Sequence, residues 1–486
     1  MNLFSDRCVR LLVFALLIAS QLAPALAQTR TRNSKVATVL ERNIRAELGF
    51  LASDAMQGRR SASGYERIAA EYIGSQFRQF GLDPAGDEDS PGSRGFVQQV
   101  TLETTKFMEP PVLTATSANE SRKWQFGPDL LAPLTRAART SGDLQVIDAD
   151  GVPAKGAAVV LRFTEGLDQQ KRQDLVRRAR SAKSALLVLI ESDANRATRE
   201  SGKSMLPTLP ARIKGETRDE QSFAMIALRK DALDELSAMP AGTKVEFGGT
   251  TSIEQGATWN AVGVLPGSDS RSAKEAIMLS AHLDHLGVSE AVNGDAIFNG
   301  ADDDGSGCVA VMELARFLAS GRRPKRTVYF VCFGSEERGG YGARYFVANS
   351  PVPLKRIVAD LTFEMLGRPD PKVAAGNLWL TGYERSNLGA ELARQGAHLV
   401  ADPHPEQNFF QRSDNYTLAL RGVVAHTVSS FGLHTDYHRP SDEIGKIDFP
   451  FMTQAIGSLV APIRWLAGSS FRPTWVPGQA PSSQVP

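Results

Sequence analysis

Residues 276–307 read AIMLSAHLDHLGVSEAVNGDAIFNGADDDGSG, and the fold of the whole chain turns on them. The opening AIMLSA is a near-continuous apolar run, the pattern of a strand buried on both faces. His282-Leu283-Asp284-His285 follows at once. After a turn-rich stretch, Asp302-Asp303-Asp304 runs into Gly305-Ser306-Gly307, where the pattern predicts a helix over 308–319.

The same arrangement recurs towards the C-terminus. The apolar run 327–333 (TVYFVCF) is followed by Gly334-Ser335-Glu336-Glu337, and 356–363 (RIVADLTF) by Glu364. The run 423–428 (VVAHTV) leads to Phe431-Gly432-Leu433-His434 and then Tyr437-His438-Arg439-Pro440. Buried strands alternating with helices predict an α/β fold, a mixed and mostly parallel twisted sheet covered by helices on both faces. In such sheets ligands bind outside the carboxyl ends of the strands, where these polar motifs fall. Histidine with carboxylate is the ligand set of borderline cations such as zinc. Two imidazoles and four carboxylates exceed what one tetrahedral ion uses. They match two ions sharing a bridging carboxylate, with one carboxylate left as a base. So many acids at one sheet end would repel one another unless cations neutralised them. Neither a G-x-S-x-G elbow nor an H-E-x-x-H helix occurs, which removes support from serine hydrolases and single-zinc proteases of the thermolysin type.

Upstream, apolar residues over 39–80 recur at spacings of three to five (Ile44, Leu48, Leu51, then Ile68, Tyr72, Phe77), a helical pattern stopped by Gly81 and Pro84. Residues 110–254 read differently: strands at 157–163, 185–190 and 223–228, a basic helical stretch around 170–182, and no catalytic constellation. All seven histidines lie beyond this region. It reads as a smaller β-rich domain inserted between the two parts of an enzyme domain, 28–109 and 255–470. The Pro- and Ser-rich tail 471–486 is expected to be disordered.

The 486 residues imply two domains or one with an insertion, and 42% hydrophobic with 22% charged residues is ordinary globular composition. Lys+Arg number 55 and Asp+Glu 54, so no electrostatic excess points to a nucleic-acid or anionic-membrane partner. Arg7 and Arg10, the apolar run 11–20 and Ala25-Leu26-Ala27 predict a signal peptide over 1–27, cleaved to give an exported protein, periplasmic or secreted. The run is too short to span a bilayer, which takes about 20 residues, so no membrane association is expected after cleavage. Cys308 and Cys332 lie in apolar patterns and read as two buried thiols.

These motifs resemble the co-catalytic di-zinc aminopeptidases, metallopeptidase family 28 of clan MH. The resemblance rests on Leu51-Ala52-Ser53-Asp54-x-x-Gln57-Gly58-Arg59, His282-x-Asp284-His285, Gly300–Gly307, Glu336-Glu337, Arg412-Ser413-Asp414 and Tyr437-His438-x-Pro440-x-Asp442. It implies a zinc exopeptidase fold, two Zn2+ ions and a peptide substrate. Carried over residue by residue, it makes Asp303 the bridging carboxylate, with Glu337 and His438 on one zinc and His282 and Glu364 on the other. Glu336 would be the general base, and Asp284 would orient His282. The peptide bond between Asp303 and Asp304 is expected to be cis. Position 364 carries Glu where the best-known members have Asp, and 338–343 (RGGYGA) departs from the usual loop. His285 is left between a supporting and a mere loop role, and His434 is an alternative ligand to His438. His426, within a strand, reads as a core histidine. Ser413-Asp414 reads either as a site-lining motif or as turn chemistry. The inserted region resembles a protease-associated domain. The expected activity is removal of N-terminal residues from peptides. A carboxypeptidase or dipeptidase on the same fold, or a metal-free binding protein, stands as the alternative.

Overall fold

The computed structural model describes residues 38–162, 169–202, 205–216 and 223–481. The expected signal peptide and the polar stretch after it lie outside the described residues. AIMLSA becomes the strand Ala276–His282, buried along its whole length. We number the strands of its sheet β1 (Val97–Phe107), β2 (Thr251–Leu265), β3 (Ala276–His282), β4 (Thr327–Phe333), β5 (Ile357–Glu364), β6 (Leu378–Leu380), β7 (Leu399–Ala401) and β8 (Val424–Ser429). Their spatial order is β1-β2-β4-β3-β5-β8-β6-β7, in a ten-stranded sheet completed by Asp83–Pro84 and Arg212–Ile213. The centre, β4-β3-β5-β8, is parallel. Antiparallel pairs extend it on either side, β1 with β2, β2 with β4, and β6 with β8. The carboxyl ends of the four central strands therefore lie along one edge.

Alternation along β3 divides the core. Ile277, Leu279 and Ala281 pack on one face with α1 (Glu41–Leu51), α2 (Gly64–Phe80), α3 (Gly307–Ser320) and α5 (Phe449–Gly468). Ala276 and Met278 pack on the other with Phe346 of α4 (Tyr341–Ala348) and with Leu418 and Ala419. Burying each large side chain, Phe330 or Phe363 for example, contributes about 1.5–3 kcal/mol. The helical stretch expected over 39–80 is two helices, interrupted by the 3-10 segment Asp54–Arg59, and α2 ends on Gly81 at φ 83°.

The inserted region forms a second, eight-stranded sheet between Val112 and Gly248 with a core of its own that includes Leu113, Val188 and Phe247. Three helices, Gln169–Ser181, Asp193–Glu200 and Lys230–Ser237, belong to it, so it is an α/β body around its parallel strands. It leaves and re-enters the main sheet through β1 and β2, where Phe107 pairs with Thr251.

The tail departs from expectation. Trp475 bridges to Ser386 and sets its ring 5.3 Å from His426, and the Val476 N–H donates to the Arg385 carbonyl at 2.8 Å. Described residues 471–481 are therefore fastened to the body built on the main sheet: one aromatic side chain with a place to pack overrides a composition that reads as disorder.

Candidate metal centre

Motifs from three strand ends converge around Asp303. Its Oδ1 lies 3.2 Å from His282 Nε2, at the end of β3, and its Oδ2 lies 3.2 Å from His438 Nε2, on the loop after β8. His438 Nε2 is also 3.2 Å from Glu337 Oε1, beyond the end of β4. Two donor sets share Asp303. In each of them, His282–Asp303–Glu364 and His285–Asp303–Glu337, the donor atoms all lie within 4.8 Å of one another. The Asp303–Asp304 peptide bond is cis. His285 stands closer to the centre than its sequence position indicated. It is fully buried, with Nδ1 2.9 Å from Glu337 Oε1 and 3.8 Å from Asp303 Oδ2.

Carboxylates behind the cluster fix its loops. Asp284 accepts from the Ser61 hydroxyl at 2.5 Å and from the backbone N–H groups of Glu336 at 2.9 Å and Glu337 at 3.3 Å. Its link to His282 runs first through its main-chain carbonyl, 3.2 Å from Nδ1, with the carboxylate at 3.6 Å. Asp304 accepts from the N–H groups of His282, Gly307 and Met365, and Asp442 from those of Asp302 and Asp303. Glu66, buried on α2, accepts from the Ser335 N–H at 2.8 Å, the Thr258 hydroxyl at 2.8 Å and the Ala62 N–H at 2.9 Å. Nothing in the sequence singled out Glu66, because an acid inside an amphipathic helix reads as a solvated face.

Arg59, completing the Gln57-Gly58-Arg59 signature, is 1% exposed and donates to the carbonyls of Leu51, Leu283, Asn299 and Gly300. It ties the loop after His282 to the one before Asp303. Gly58 has φ 65°, and a Cβ there would run into the carbonyl of Phe298, so the turn admits no side chain.

Charge is unevenly held. Burial works against protonation of His282, yet Asp284 and Asp303 outweigh it and hold its imidazolium well above the usual range. Burial raises the Glu336 carboxyl well above its usual value; His282 opposes this, while Asp414, Glu364 and Glu337 add to it. Burial likewise takes Glu364 to about 7. These are acids crowded out of water around too few positive charges. Two polar atoms are left over: His285 Nε2 and Glu364 Oε2 are buried without a hydrogen-bond partner among the described residues. Buried polar groups normally find partners. An imidazole and carboxylate set with idle lone pairs, sharing one carboxylate, fits a pair of divalent cations.

Beyond Glu364 the site opens into a pocket with an apolar wall of Met365, Trp379, Phe409 and Phe431, and with Arg412 and Tyr437 at its side. Ser413 lines the same pocket. His434 turns away: its Nε2 lies 3.1 Å from Asp302 Oδ2, and Arg368 sits against its ring. His426 is buried in β8 with both nitrogens satisfied, at 2.7 Å from the Ser386 hydroxyl and 2.7 Å from the Thr381 carbonyl. Cys308 and Cys332 are free, buried thiols, and Cys308 donates to the His282 carbonyl.

Known proteins share stretches of this sequence. Leupeptin-inactivating enzyme 1 of Streptomyces exfoliatus is 34% identical over 124 residues, 25% of this chain and 26% of that protein. Aminopeptidase YwaD of Bacillus subtilis is 28% identical over 191 residues, 38% of this chain and 39% of that protein. The chain thus spans well under half the length of these curated relatives. The fold is that of an aminopeptidase structure from Aneurinibacillus sp. strain AM-1, with a TM-score of 0.54 at 17% identity, covering 90% of this chain and 96% of that one. The sequence model of Peptidase family M28 matches residues 260–462, which contain every residue of the Asp303 cluster.

Proposed function

We propose that the protein is a zinc-dependent aminopeptidase, exported, that removes N-terminal residues from peptides. One observation carries this reading: two donor sets share Asp303, with Glu336 on the same pocket wall. In it Asp303 bridges, His282 and Glu364 complete one metal position, and Glu337 and His438 the other, with His285 supporting Glu337 through their 2.9 Å contact. Two zinc ions held there would supply Lewis-acid polarisation of a carbonyl and a nucleophile at neutral pH.

Glu336 is the base. It takes a proton from the attacking water as the water oxygen bonds to the scissile carbonyl carbon, then delivers it to the amine nitrogen as the C–N bond breaks. Burial raises its pKa, which makes its carboxylate a stronger base than a solvent-exposed one. Asp284 sets the position of Glu336 by accepting its backbone N–H. The aromatic wall receives the N-terminal side chain and excludes water from it. Relatives described as an aminopeptidase and as a leupeptin-inactivating enzyme support a peptide substrate. Among the described residues no helix is long and apolar enough to cross a membrane.

Metal analysis of the purified protein tests the reading. Two zinc ions per chain, removed by a chelator together with peptide hydrolysis and restored by zinc, are expected. Full hydrolysis by metal-free protein would refute it.

A further inference from the structure

A second cavity, of about 370 Å³, shares Glu337 with the aromatic pocket. The loop after β4, with Glu337 and Arg338, forms part of its lining, and residues 208–211 of the inserted domain form another wall. That wall is held in place. The Tyr341 hydroxyl donates to the Ala211 carbonyl at 2.6 Å, Arg344 pairs with Glu216, and Arg212–Ile213 adds to β1 as an antiparallel strand. Thus two residues of α4 and one edge of the main sheet clamp an inserted segment beside Glu337.

We infer that this cavity holds the leaving portion of the substrate and that Arg338 binds its C-terminal carboxylate, so that the enzyme favours short peptides with a free C-terminus. The inference rests on the aminopeptidase reading above. With the N-terminal residue against the aromatic wall and the scissile bond at Asp303, the chain continues past Glu337, and the cavity begins there. Its volume is near the lower end of the roughly 300–1,000 Å³ of small-ligand sites, room for a few residues beside Glu337. The neighbouring acids would repel an anionic terminus. Arg338 is the one cation on the cavity walls, it is exposed, and among the described residues no ion pair engages it. A guanidinium presents a planar fork of donors that matches a carboxylate.

The test compares Leu-Gly-Gly as the free acid with its C-terminal amide, and uses leucine p-nitroanilide as a substrate without leaving residues. Wild type is expected to favour the acid in kcat/KM by about tenfold, the worth of one charge-assisted hydrogen bond. Arg338→Ala should bring the acid-to-amide ratio close to one and Arg338→Lys should keep part of it. The ratio is internal to each preparation, so a loss of folded protein does not alter it. Thr208→Trp, at an exposed position on the inserted domain's wall, should lower hydrolysis of the tripeptide relative to the anilide. A ratio near one in wild type, or a full preference surviving in Arg338→Ala, overturns the inference. If the anilide is cleaved in either of those cases, the aminopeptidase reading stands alone; if wild type cleaves none of the three, that reading falls and takes the inference with it.

Discussion

The carboxylate of Asp284 accepts the backbone N–H of Glu336 at 2.9 Å, joining the motif at the end of β3 to the motif at the end of β4. Its other oxygen accepts from Ser61 and from the Glu337 N–H, so every group facing the carboxylate in these contacts is a donor. Asp284→Asn turns an amide NH2 towards at least one of them. Supporting partners of this kind cost 10–100-fold when lost, and a fall in kcat of about that size, with zinc content retained, is expected from steady-state kinetics on the variant.

Glu336 and His438 separate the chemistry from the metal. Glu336→Gln removes the base and no ligand, so turnover should fall by about 10²–10⁴ while zinc stoichiometry stays at two. His438→Ala should bind one zinc where wild type binds two, read by elemental analysis. If stoichiometry is unchanged, His285, which reaches the same Glu337 and Asp303, is the ligand in its place.

Arg59 is a structural brace. Arg59→Leu would strand the buried carbonyls of Leu51, Leu283 and Asn299, each costing about 1–3 kcal/mol, while Gly300 keeps the Gly305 N–H, and a loss of about 3 kcal/mol is expected after partial relaxation and rehydration. Denaturant melts should show an earlier midpoint for the variant.

His426 makes stability depend on pH. Burial holds its pKa at about 4, below the ordinary 6.5, so the unfolded chain binds the extra proton first as pH falls. Its contribution is fully present above pH 6.5 and is lost as pH drops through about 4, up to about 3 kcal/mol. Asp360, buried and raised to about 7, acts oppositely over nearly the same range, because its stabilising protonated form is lost as pH rises. The difference between wild type and His426→Gln isolates the histidine: their melting temperatures should converge as pH is lowered from 7 to 4.5. A constant gap across that range would contradict the assignment.

The central strands and the cluster were legible because they share one signal. An apolar run buried on both faces stands out in sequence, and in β3, β4 and β5 the residues closing it are the polar ones of the site, His282, Glu336, Glu337 and Glu364. His285, Glu66 and Asp304 were hidden for a different reason. Each acts through long-range hydrogen bonds or proximity, to Glu337, Ser335 and Met365, that no local periodicity encodes. The tail failed similarly, since Trp475 finds its partners, Ser386 and His426, far away in sequence. Clamping of residues 208–213 against α4 and β1 was invisible because the inserted domain's own pattern carries no mark of its neighbour.

The central claim is tested most directly with one peptide in two forms, its N-terminus free or acetylated, each incubated with and without a chelator and followed by mass spectrometry. The account predicts stepwise loss of residues from the free N-terminus only, abolished by the chelator. Trimming of both forms from the C-terminus, or N-terminal trimming that the chelator leaves untouched, would contradict it.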